Sequence, residues 1–119
     1  MRYLVTIAHG PTVWSEASEH TRRSYHQEHL AFHEAVAERA RLVAGEALAG
    51  PETATTLRHV DGVPILTEGP FAQTPEVVGG FYLVDADDLD VMTGLCELLP
   101  QTYALEIRPV VRIEGFEAR

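Results

Sequence analysis

The chain has 119 residues, 45% of them hydrophobic, enough for one domain with its own core and too few for two ordinary ones. Nine basic against eighteen acidic residues give a formal charge of −9, which opposes binding to phosphate backbones and anionic lipid, so neither nucleic acid nor a membrane is an expected partner. Every basic residue is Arg, which excludes a Schiff-base or P-loop lysine, and the lone Cys96 excludes an internal disulfide and suits a reducing cytoplasm.

In chain order, residues 2–8 are rich in Tyr, Leu, Val, Thr and Ile and end at His9-Gly10-Pro11, the pattern of a short buried strand. The apolar run from Tyr3 to Ala8 is shorter than a signal h-region or a membrane span, which predicts a cytoplasmic location. From Ser15 to Leu42 there is no Gly or Pro, and Tyr25, His29, Phe32 and Val36 share one helical face, predicting a long helix. The Ala/Gly/Pro-rich piece GEALAGPET reads as an internal loop. In TTLRHVDGVPILTEG two β-like runs flank Asp61-Gly62, a dipeptide suited to the positive φ angles of a tight hairpin. GGFYLVDA is a further strand. Asp87 or Asp88 can then cap a helix whose Met92, Leu95, Cys96 and Leu99 share a face and which ends at Pro100. ALEIRPVVRI reads as a last strand, with Pro109 marking an edge or a bulge.

The order β, long α, hairpin, β, α, β has too few crossovers for a doubly wound sheet and predicts an α+β sandwich with its helices on one face of an antiparallel sheet. The other face is too apolar to stay wet, and a homodimer is its simplest cover.

The helix segment YHQEHLAFHE carries His26, His29 and His33 at i, i+3 and i+7. It lacks the H-E-x-x-H zinc signature, and no metal is expected. His29 lies within the apolar stripe, where burial or a carboxylate can tune its pKa for acid–base work; the same position also suits a core-edge histidine bonded to a carbonyl. Glu68, before Gly69-Pro70-Phe71, can orient an imidazole or cap a turn. Arg108 can anchor an anionic ligand or form an ion pair, and Tyr25 and Tyr82 can donate to an oxyanion or pack in the core. Gly79-Gly80 precedes a strand, whereas phosphate-binding glycines follow one and open a helix, so no nucleotide is expected there.

The segments EALAGPETATTLR, TEGPFAQTPEVVGGFYLVDADDLD and LEIRPV, in that order, resemble the DGPF branch of the YCII-related proteins over nearly the whole chain. The resemblance implies one ferredoxin-like α+β domain over 1–119 that pairs into a dimeric α/β barrel. Some relatives in the wider group look like lyases, including a dehydrochlorinase of chlorinated hydroquinones, with a histidine-acid pair; the family's helix His-Leu pair resembles His29-Leu30. Others are associated with extracytoplasmic-function sigma factors. The Asp that names the motif is Glu68 here, and the usual acidic and lysine-containing continuation is Gln73-Thr74-Pro75-Glu76.

Together these features point to a small cytoplasmic homodimer, a lyase or isomerase that needs no cofactor. His29 serves as acid or base, Glu68 orients it, and Arg108, Tyr25 and Tyr82 bind an anionic small molecule. The alternatives are a non-catalytic ligand-binding or regulatory accessory domain, and an oligomerisation scaffold whose site has decayed.

Overall fold

The computed structural model describes residues 1–72 and 74–116. The first strand, β1 (Arg2–His9), alternates strictly: Tyr3, Val5 and Ile7 are buried, while Leu4 and Thr6 face the other way. Helix α1 (Glu19–Arg39) starts at Ser18, whose side chain accepts the Thr21 amide at 3.1 Å. Phe32 and Val36 are its fully buried residues, and they set the face that lies on the sheet.

The helix stops at Arg39, and Ala40 is already extended. A strand follows at once, β2 (Arg41–Ala47), so the expected helix reaching Leu42 and the expected loop from Gly45 are both corrected here. RLVAGEA carries only Leu42 and Val43 as strong β formers, and its Ala and Glu favour helix. Pairing decides the outcome, with Leu42 opposite Val84, Gly45 opposite Tyr82 and Ala47 opposite Gly80. A register shift between Leu42 and Ala44 keeps the strand in line with its partner.

After a single 3-10 turn at Pro51–Thr53 come β3 (Thr55–Val60) and β4 (Val63–Glu68). They form the expected hairpin, with Asp61 at φ 50° and Gly62 at φ 78°. The hairpin is a two-stranded sheet of its own, and no residue of β3 or β4 is buried. The strand β5 (Val77–Asp85) then returns to the main sheet, and α2 (Leu89–Cys96) is capped by Asp88, which accepts the Val91 amide at 2.9 Å. The last strand, β6 (Ala104–Pro109), is an edge, which is where Pro109 is tolerated.

The main sheet has the order β2-β5-β1-β6 with every pairing antiparallel, a mixed α+β arrangement compatible with a ferredoxin-like fold. Both helices lie on one face. There Tyr3, Val5, Ile7, Tyr82 and Val84 of the sheet meet Phe32, Val36, Met92, Leu95, Cys96 and Leu99 in one core. The opposite face presents Leu4, Thr6, Phe81 and Leu83 in cross-strand register, with Arg108 beside Leu4. The described strands do not close into a barrel.

Candidate functional site

The end of the sheet near His9 is not filled by core side chains. A pocket of about 820 Å³ opens there between α1, the inner sheet face and the segment 45–52 that leaves β2. That volume suits a small-molecule ligand. Two helical turns set its floor: α1 repeats nearly every seven residues, so His26, His29 and His33 all reach the same side.

His29 is half-buried and held at both ring nitrogens. Nδ1 lies 2.6 Å from the Tyr82 hydroxyl and Nε2 lies 2.9 Å from the Tyr103 hydroxyl. The Tyr82 hydroxyl is shared, since His33 Nε2 is 3.1 Å from it. Tyr82 comes from β5, Tyr103 from the residue before β6, and both histidines from α1, so three separate elements fix one hydrogen-bonded chain.

Packing holds these rings in place. Phe32 lies against Tyr82 with centroids 4.7 Å apart, and Gly45 on the neighbouring strand leaves the other side open for the ring. Tyr103 packs on His29 at 5.6 Å and on His9 at 5.9 Å, with Tyr25 at 6.4 Å and Trp14 beyond it. The pocket is thus walled by aromatic and imidazole rings, and among the described residues no arginine lines it.

Burial is the first cause of every pKa shift here. It lowers the pKa of His29, and the nearby His33 and His26 lower it further, which favours the neutral base. It pushes the Tyr82 hydroxyl up to about 12, with Tyr103 adding to the effect. Tyr103 is raised by burial, then by Tyr25 and Glu28. Both phenols are therefore neutral hydroxyls that donate one hydrogen bond and accept others.

Of the residues expected from the sequence, His29, Tyr25 and Tyr82 line this pocket together. Glu68 does not. It is exposed at the end of β4 opposite Thr55, and the partners of His29 are phenols where a carboxylate was expected. Arg108 sits in β6 beside Leu4, on the sheet face turned away from the helices and outside the pocket lining. Tyr103 and the hydroxyl link to His33 are additions from the structure. Continuing the β6 alternation backwards from Ile107 and Leu105 reaches Tyr103 on the inner face, a signal present in the sequence. Among the described residues no group of three or more His, Cys, Asp or Glu is arranged to hold a metal ion. No described helix is long and apolar enough to cross a membrane.

Residues 1–114 match the family model of the YCII-related domain. The chain belongs to the YCII-related family. Among its relatives is "Uncharacterized protein R00369" of Rhizobium meliloti (strain 1021), 43% identical over 61 residues that make up 48% of this chain and 49% of that protein. The match thus spans about half the length of that curated relative. The family match runs through β1, α1 and β5 and through Tyr103, so every element that builds the pocket lies within the shared domain.

Proposed function

We propose that this YCII-related protein, read as one of the DGPF branch, is a cofactor-independent acid–base lyase or isomerase whose pocket works on a small molecule. One observation carries the reading: a neutral-biased imidazole, His29, is wedged between two phenol hydroxyls inside a pocket of ligand size. His29 with Tyr103 removes a proton, and Tyr82 holds the ring in orientation. An oxyanion on the ligand is met by donors from Tyr25 and His26 on the pocket lining, which takes the anion-binding role from Arg108 and leaves the Tyr82 hydroxyl to the two histidines. Glu68, exposed and outside the pocket lining, acts outside the chemical step.

The test follows exchange of carbon-bound hydrogen for deuterium by NMR, using a panel of small enolisable carbonyl compounds in heavy water. Wild type accelerates exchange of at least one compound, His29→Ala loses the acceleration, and Glu68→Gln keeps it. Equal exchange by wild type and His29→Ala refutes the reading.

The protein acts as a cytoplasmic homodimer in this proposal, with the face carrying Leu4, Phe81 and Leu83 against its partner. That arrangement joins two sheets into the barrel expected of the family, and light scattering on the purified protein measures it. A second reading, a regulatory module that grips another protein, is favoured by the hairpin and the segment just after it, where Leu57, Ile65, Leu66 and Phe71 are exposed. It gains ground if the dimer forms with these four side chains still open to solvent.

A further inference from the structure

The four polar groups of the site form a line and not merely a cluster. Tyr103 lies on the pocket wall, His29 bridges it to Tyr82, and Tyr82 hands on to His33, which is exposed. Each phenol oxygen has a single hydrogen to donate, and neutral imidazole has one N–H and one bare nitrogen. Only two arrangements therefore satisfy every bond. In the outward one, Tyr103 donates to His29 Nε2, His29 Nδ1–H donates to Tyr82, and Tyr82 donates to His33. In the inward one, His33 donates to Tyr82, Tyr82 donates to His29 Nδ1, and His29 Nε2–H donates to Tyr103, whose own hydrogen is free to point into the pocket.

We propose that Tyr103, His29, Tyr82 and His33 are a proton wire that joins the pocket to solvent, with His33 as its outer terminus, a proposal that rests on the acid–base reading of the pocket. Starting from the outward arrangement, the ligand proton passes to the Tyr103 oxygen, and the electron pair of the broken bond stays on the ligand. The Tyr103 hydrogen moves to His29 Nε2, the hydrogen on His29 Nδ1 moves to Tyr82, and the Tyr82 hydrogen moves to His33 Nε2. Each inner group gains one proton as it loses another, so no charge is left in the half-buried part of the chain. His33 ends as an imidazolium and releases its Nδ1 proton to water.

The wire is then in its inward arrangement, with the Tyr103 hydroxyl aimed at the pocket and ready to return a proton. Removal at one atom followed by return at another is what an isomerisation requires. His33 borders the pocket at its exposed side, and in the wire it acts through Tyr82 as a relay residue. The lowered pKa of His29 fits a member of the chain that swaps tautomers and is seldom doubly protonated. The titratable groups that line the pocket with His33 are Tyr25, His26 and His29 on its own helix, Tyr82 from β5, Tyr103 and His9 across the pocket, and Glu46 and Glu52 on the far wall.

The wire makes a prediction that needs no ligand. In the outward arrangement His29 and His33 both carry their hydrogen on Nδ1, and in the inward one both carry it on Nε2, so the two tautomers are matched. Nitrogen-15 NMR of the histidine ring nitrogens on the whole protein reads this directly. The expected result is the same tautomer, or the same mixture of the two, at His29 and His33 in wild type, and a shifted His29 population in Tyr82→Phe, which removes the link. The exposed His33→Ala gives the same shift and guards against a misfolded Tyr82→Phe. Opposite tautomers at His29 and His33 in wild type, or a His29 population unmoved by both substitutions, overturns the wire. Deuterium exchange that depends on His29 stands in either case, so failure of the wire and failure of the acid–base reading are told apart.

Discussion

Gly45→Ala isolates the packing that aims Tyr82. A Cβ at this position lies 2.5 Å from Tyr82 Cδ1 and 2.8 Å from Cε1, where ordinary contacts begin near 3.4 Å. The tyrosine ring cannot simply retreat, because Phe32 lies on it with centroids 4.7 Å apart and is itself fully buried. Overpacking of a filled core costs about 1–3 kcal/mol. A ring displaced by about an ångström also loses its 2.6 Å bond to His29, worth roughly 0.5–1.5 kcal/mol. Removing glycine from the unfolded chain offsets about 0.4–1 kcal/mol of this. The net expectation is a loss of about 1–3 kcal/mol, together with a change in the His29 ring signals. Gly94→Ala is the internal control. Its Cβ meets nothing closer than Arg39 at 3.7 Å within α2, so the same substitution there stabilises by about 0.5–1 kcal/mol. Urea unfolding of the two variants, with NMR of His29 alongside, checks both signs. A Gly45→Ala protein as stable as wild type with unmoved His29 signals refutes the idea that Gly45 positions the site.

Three more expectations follow. His29 has a folded pKa below the ordinary 6.5, so between that folded value and 6.5 the unfolded chain binds more protons and stability falls as pH drops; His29→Gln flattens this part of a melting-temperature profile. Cys96 is buried and burial pushes its thiol up to about 11, so a thiol-reactive disulfide reagent modifies it at pH 8 only at the rate of protein opening and reacts fast once urea is added. Asp88→Ala removes the cap on the Val91 amide and costs about 1 kcal/mol by urea unfolding, whereas Asp87→Ala next to it leaves stability within roughly 0.5 kcal/mol.

Period and turn chemistry made most of the fold legible. β1 announces itself by alternation, α1 by the spacing of Phe32 and Val36, the hairpin by Asp61-Gly62 and α2 by its Asp cap. What local pattern could not show was β2, because Arg41–Ala47 becomes a strand only by pairing with β5. The site divides along the same line. His29 and Tyr82 were readable from the inward faces of their elements. Glu68, the expected carboxylate partner, lies outside the pocket lining, while Tyr103, which meets His29 Nε2, lies 74 positions from it along the chain. Hydrogen bonds between distant segments leave no trace in periodicity. A sequence reading finds which faces turn inward and leaves open which groups meet there.

The hairpin bears on the pocket through its two roots. Strands β2 and β5 are antiparallel neighbours with Ala47 opposite Gly80, so a tight turn would suffice to join them and the sheet has no need of the excursion between. The two roots of that excursion are clamped together by the Leu48 amide, which donates to the Gly79 carbonyl at 2.9 Å. Both roots, Leu48–Glu52 and Val77–Gly79, are also pocket wall. The arm therefore has exposed strands and roots that border the pocket. One stretch of chain thus supplies both an exposed apolar hairpin and a wall of the pocket.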